Sequence, residues 1–187
     1  LPRAGLSPAV VVEQAGRLAD EVGADRLTLA ALAARLGVAL PSLYKHVGGL
    51  EDLRRRIAVA ATDELARVLG EAVAGRSGAE AVAALADAYR RYAREHPGGY
   101  ALTQVAPADE AHRAAAERAA QTVFAALRGY GLEGEDAIDA TRALRAALHG
   151  WVLLEQGGGF ALSRDPESSF RRMVQALDGV LTSWRSG

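Results

Sequence analysis

The chain has 187 residues, a formal net charge of −1, 24 % charged side chains and no cysteine. That length holds one domain or two small ones around a sizeable core, and a chain that is 50 % hydrophobic is no disordered polymer. The absence of cysteine excludes a disulfide scaffold, thiolate metal sites and cysteine nucleophiles. No run approaches the ~18 apolar residues of a membrane span and no basic-then-apolar secretion signal opens the sequence, so a cytoplasmic location is expected. Leu1 stands where a Met would start a native chain, so further residues ahead of it are expected.

Alanine supplies 41 residues while Phe, Tyr and Trp together make up 5 %. Alanine is the best helix former and strands favour β-branched and aromatic side chains, so the fold class read from composition is all-α. Ser7-Pro8 starts the first helix with a hydroxyl cap and a proline whose missing N–H costs nothing there. Val11, Ala15, Leu18, Ala19 and Val22 keep one apolar face up to Gly23. Thr28 caps a second helix to Leu36, with Leu29, Leu32, Ala33 and Leu36 inward. The third spans about Pro41 to Val47 and ends at Gly48-Gly49. A long fourth helix runs to about Ala74 on the stripe Leu50, Leu53, Ile57, Ala61, Leu65, Val68 and Val73. After the linker Gly75-Arg76-Ser77-Gly78, helices are expected at roughly 79–95, 97–105, 108–130 and 134–156. Gly157-Gly158-Gly159 breaks the chain, and Asp165-Pro166 opens a last helix to about Trp184. That makes about nine helices, without a fixed-period repeat.

Residues 1–56 carry a net +2 and the remainder −3. A mildly basic first third on an acidic body fits nucleic-acid contact at the N-terminal end, and equally an ordinary solvated surface. Within it, residues 28–47 place two short helices around a sharp turn. Ala33 is small where the helices approach, Gly37 can take the positive φ of a tight turn, and Val38, Leu43 and Val47 plug the angle. This is the pattern of a helix-turn-helix, whose second helix can enter the major groove. Leu40, Ser42, Tyr44, Lys45 and His46 are left over as a polar and aromatic face able to reach phosphates and base edges. The alternative is a compact corner between helices with a surface tyrosine and a solvated histidine.

Leu27-Thr28, Leu32-Ala33, Leu36-Gly37-Val38, Pro41, Leu43-Tyr44 and His46-Val47 resemble the DNA-binding signature of TetR-family repressors, over about residues 8–55. The resemblance implies an N-terminal three-helix DNA-binding domain over 1–49, with the start of helix four to about 55. A C-terminal helical bundle over 50–187 would bind a ligand and dimerise. It implies a homodimer that sets residues 40–47 of each subunit into a palindromic operator on double-stranded DNA. Tyr44 would meet a backbone phosphate, and Leu40, Pro41, Ser42, Lys45 and His46 would face bases or nearby phosphates. Thr28 would cap helix two near the DNA backbone. The sequence departs from the family at Leu50, where a phosphate-binding Lys is usual, and at Ala30, where the tetracycline-repressor type carries Arg. Two missing cations flatten the salt dependence of binding unless Arg3, Arg35 or Arg54–Arg56 replace them.

In the family the C-terminal part carries a small-molecule pocket and the dimer face. Pocket candidates are the aromatic and polar groups among apolar helix walls: Tyr89 and Tyr92, Tyr100 and Gln104, Phe124, and His149, Trp151 and Glu155. Core packing is the alternative for each aromatic. His149-Gly150 and Gly159-Phe160 are similar to a subgroup of TetR-like C-terminal domains marked by Trp-His-Gly, although Leu148 precedes this histidine and Trp151 follows it. The dimer face is expected on the last two long helices. Gly150 allows close approach there, and Phe170, Met173, Val174, Leu177 and Leu181 exceed what one subunit's core needs. Packing of that stripe inside its own subunit is the alternative.

His46, His96, His112 and His149 show no metal-ligand spacing, the glycine triplet lacks the Lys-Ser/Thr of a phosphate loop, and no serine sits in a nucleophile elbow. No cofactor, metal or catalytic residue is expected. The sequence reads as a dimeric repressor released from DNA by a small hydrophobic or aromatic effector. The alternative is a DNA-binding regulator whose body binds a protein partner instead.

Overall fold

Nine α-helices and two short 3-10 turns, with no strand, make up the regular structure of the described residues, 6–106 and 109–184, in a computed structural model of the chain. The helices are α1 (Pro8–Val22), α2 (Leu29–Leu36), α3 (Leu40–Leu43), α4 (Leu50–Val73), α5 (Gly78–Glu95), α6 (Pro97–Thr103), α7 (Glu110–Leu127), α8 (Gly134–Gln156) and α9 (Pro166–Thr182). The all-α reading and the helix count stand.

Helices begin where side chains satisfy their first free N–H groups. The Ser7 hydroxyl accepts from the Val10 N–H at 3.3 Å, and that of Thr28 from Ala31 at 3.1 Å. The Asp165 carboxylate accepts from Glu167 and Ser168 at 3.3 and 3.0 Å. Some boundaries differ from expectation. α3 is only four residues long, because the next turn tightens: the N–H groups of His46 and Val47 both point at the Leu43 carbonyl, at 2.9 and 3.0 Å. α7 ends at Leu127, and a 3-10 turn (Arg128–Tyr130) carries the chain to Gly131 at φ 72°. A 3-10 turn at Ala24–Arg26 has no signal in the pattern.

The chain divides into two compact units, residues 1–64 with 95–116, and residues 65–94 with 117–187. The first is built on Val11, Ala15, Leu18 and Ala19 of α1, Leu32 and Ala33 of α2, Leu43, Val47, then Leu53, Ile57 and Ala58 of α4, and Leu102 of α6. Val22, Leu29, Leu36 and Leu50 pack at its edge. α6 lies directly on α1. A Cβ on Gly98 would stand 2.2 Å from the carbonyl carbon and oxygen of Ala19, so only glycine fits. Asp20 fastens the same crossing: one carboxylate oxygen accepts from the Gly99 N–H at 2.9 Å and the other lies 3.2 Å from Nδ1 of His96.

The second unit buries one face of α5, including Val82, Leu85, Tyr89 and Tyr92. Leu144, Leu148 and Val152 of α8 are buried too, as are Phe170, Val174 and Leu181 of α9. Among these apolar groups sits a guanidinium. Arg90 is 7 % exposed, holds Glu155 through two hydrogen bonds of 2.5 and 3.0 Å, and reaches Glu167 at 2.6 Å. Its Cζ lies over the Phe170 ring, 4.5 Å from the ring centre. Glu155, and after it Glu167, hold the cation in its charged form against the cost of burial. No helix among the described residues is long and apolar enough to cross a membrane.

Candidate nucleic-acid interface

The segment after α2 turns because Gly37 takes the left-handed conformation, φ 65° and ψ 33°. Its N–H and that of Val38 return to the carbonyls of Ala34 and Ala33 at 3.2 and 3.0 Å, closing the end of α2. Leu43 (0 % exposed) and Val47 (2 %) anchor the next turn in the core. Leu40, Pro41, Tyr44 and Lys45 then face solvent, with Ser42 and His46 half-buried. Tyr44, 58 % exposed, is a large aromatic with no apolar cover.

The far end of this segment is pinned to α4. The Gly48 N–H donates to Asp52 at 2.9 Å, and this bond, with Arg56 beside it at 3.0 Å, holds the Asp52 carboxyl below its ordinary pKa. Arg56 also donates to the His46 carbonyl at 3.2 Å. The exposed face is therefore braced by Gly37 at one end and by Asp52 and Arg56 at the other.

Among the described residues, the arginines named as replacement cations are already engaged. Arg35 binds Glu21 at 2.7 Å, Arg54 binds Glu51 at 2.9 Å, and Arg55 pairs with Asp52 and with Asp109 at 3.1 Å. Arg3 lies outside the described residues. Ala30 is exposed and Leu50 half-buried, and neither supplies a charge.

The pocket candidates fall in both units. Tyr100 (1 % exposed) and Gln104, whose amide donates to the Thr103 hydroxyl at 2.7 Å, belong to the first. Tyr89, Tyr92, Phe124, His149, Trp151 and Glu155 belong to the second. Tyr89 and Tyr92 are 6 and 4 % exposed. Phe124 lines a cleft of about 490 Å³ between α7 and the start of α8. Burial lowers the pKa of half-buried His149, and Arg145 adds to the shift. Trp151 packs on Phe160 and Phe170, with ring centres 4.4 and 5.3 Å away, and its indole N–H has no partner among the described residues. Glu155 is bound to Arg90, which holds its carboxyl below the ordinary range. The pattern of the sequence does not reveal this Arg90–Glu155–Glu167 cluster, because its members are 65 and 77 residues apart.

Of the dimer candidates, Phe170, Val174 and Leu181 are buried within the chain itself, while Gly150, Met173 and Leu177 are half-buried. The outer faces of the same two helices carry apolar residues that the stripe did not include: Leu153 at 52 % and Val180 at 51 % exposure, with Ala143, Ala146 and Ala176 also exposed.

A short helix pair closed by a left-handed glycine, with its free face solvated, defines a helix-turn-helix protein. The comparisons with known proteins agree. Residues 82–177 match the family described as the tetracyclin repressor-like C-terminal domain. The chain is 44 % identical over 177 residues to the HTH-type transcriptional regulator Rv0681 of Mycobacterium tuberculosis H37Rv, covering 93 % of this chain and 81 % of that one. It is 34 % identical over 183 residues to the HTH-type transcriptional regulator YobS of Bacillus subtilis 168, covering 96 and 95 %. Its fold is similar to that of a TetR from Acinetobacter baumannii AYE in complex with minocycline, with a TM-score of 0.75 at 24 % identity over 98 and 100 % of the two chains. The chain belongs to the TetR family of helix-turn-helix transcriptional regulators.

Proposed function

We propose that the chain is a homodimeric repressor that reads a palindromic operator with residues 40–47 and leaves it when the C-terminal part binds a small hydrophobic or aromatic effector. In this reading 1–49 form the DNA-binding domain and 50–187 the effector and dimer domain. The observation that carries it is the braced, solvent-facing pair Tyr44 and Lys45: a tyrosine hydroxyl and an ammonium beside one another, at the end of a turn fixed on both sides. Such groups contact phosphates and base edges in the major groove. Pro41, Leu40, Ser42 and His46 complete the face, and Thr28 holds the start of α2 near the backbone. Working on the chromosome, such a repressor belongs in the cytoplasm.

Dimerisation uses the outer faces of α8 and α9, with Gly150, Met173 and Leu177 joined by Ala146, Leu153 and Val180. Gly150 and Gly179 support this. A Cβ added at either meets nothing in the chain within 4 Å, yet each helical glycine costs about 1 kcal/mol against alanine. Close approach of a second subunit gives both a reason. Leu177→Glu is expected to yield a monomer by sedimentation, and an unchanged coefficient removes this interface.

The effector reading draws support from the aromatic content of the second unit and from the minocycline bound by the A. baumannii relative. A tenfold release needs only ~1.4 kcal/mol of differential affinity between DNA-competent and incompetent states. The test is fluorescence anisotropy against the upstream intergenic DNA and a scrambled duplex, at low and moderate salt. Selective binding that Tyr44→Ala and Lys45→Ala each weaken by about tenfold, with the dimer intact, sustains the reading. Wild-type affinity in both variants removes it.

A further inference from the structure

A cleft of about 560 Å³ in the first unit is bounded by the 3-10 turn Ala24–Arg26, the N-terminal half of α4, the end of α6 and the start of α7. Apart from Arg54 and Arg55, no residue named above for DNA, effector or dimer contact lines it. Its volume lies within the roughly 300–1,000 Å³ of small-molecule sites. Ala58, Leu102 and Val105 give it an apolar wall.

Its charges are unequally committed. Arg54 is taken by Glu51 at 2.9 Å and by the carbonyls of Ala24 and Asp25 at 3.4 and 3.5 Å. Arg55 is taken by Asp52 and Asp109. Neither guanidinium is left for an anion. The Asp25 carboxylate lines the cleft with no hydrogen-bond or ion-pair partner among the described residues. His112 lines it too. It is 2 % exposed, its backbone N–H is held by Asp109 at 2.9 Å, and no described residue hydrogen-bonds its ring nitrogens. The imidazole offers a donor and an acceptor to a group bound in the cleft.

We propose that this cleft binds a small organic amine: an apolar body against Ala58, Leu102 and Val105, an ammonium on the Asp25 carboxylate, and a polar group of the body hydrogen-bonded to the His112 ring. The ammonium–carboxylate contact is a charge-assisted hydrogen bond and sets the preference for amine over acid. The site is independent of the operator reading, and its test involves no DNA.

The probes are tryptamine and indole-3-propionate, which share an indole body and N–H donor but carry opposite charges. Calorimetry on the full chain is expected to give at least tenfold tighter binding of tryptamine, equivalent to about 1.4 kcal/mol. Asp25→Asn is expected to erase that preference. In nitrogen-correlated spectra the His112 ring is expected to shift with tryptamine while those of His96 and His149 stay in place. Ala106→Trp, at the exposed rim, is expected to block binding at an unchanged melting temperature. Equal affinity for the two probes, no binding of tryptamine, a preference that survives Asp25→Asn, or binding that survives Ala106→Trp overturns the proposal.

Discussion

The two units hold their helices together by different means. In the first, α6 touches α1 backbone to backbone at Gly98, and Asp20 ties the contact with a hydrogen bond to a main-chain N–H. In the second, α5, α8 and α9 meet through long side chains around one buried guanidinium. A backbone contact has no slack, because a main-chain carbonyl cannot rotate aside. A side-chain hub can repack, and its strength depends on charge. The first unit is thus fixed by shape and the second by electrostatics.

Four substitutions break or sharpen that contrast. Gly98→Val drives three new carbons against the Ala19 carbonyl and is expected to destabilise the first unit by 4 kcal/mol or more, on the order of the worst overpacking cases. Its check is loss of the cooperative urea transition. Arg90→Met leaves Glu155 and Glu167 facing apolar neighbours. About 3 kcal/mol of loss is expected, at the low end for a broken buried pair because Glu167 is 51 % exposed and can turn to water. Hydrogen exchange is expected to rise in α8 and α9 and not in α1.

Glu155→Gln sharpens the electrostatic half. Arg90 depresses the pKa of Glu155 in the folded state, so the ionised carboxylate contributes stability above its ordinary value of 4.5. That contribution disappears as the pH falls through the lower, folded value. Urea midpoints measured from pH 6 to 3 are expected to drop more steeply below pH 4.5 in the wild type than in Glu155→Gln. Parallel curves refute the assignment. Thr28→Ala has the smallest effect. Losing one cap costs about 1 kcal/mol, read as a lower midpoint with no change in the acid profile.

The ends of α1, α2 and α9 were legible because they rest on neighbours in sequence: Ser7 before Pro8, Thr28 three residues ahead of Ala31, Asp165 before Pro166. The brace on the turn after α2 was half legible. Gly37 announced the bend, but the hold of Asp52 on Gly48 needed the start of α4 folded back on the turn. Arg90 was hidden altogether. Nothing in its local pattern distinguishes it from Arg91 and Arg94, which face solvent on the same helix. Gly98 was hidden for the same reason, since the atoms that forbid a side chain there lie 79 residues away at Ala19.

Lys45 is the single lysine among 22 basic residues, and it stands in the open at the exposed end of the α3 turn. Apart from the α-amine, it is the chain's one target for acylating reagents. Besides the α-amine, a single active-ester dye therefore labels the solvent-facing turn after α3. Shielding of that amine can be followed by intact mass alone, so the chain carries its own footprinting probe.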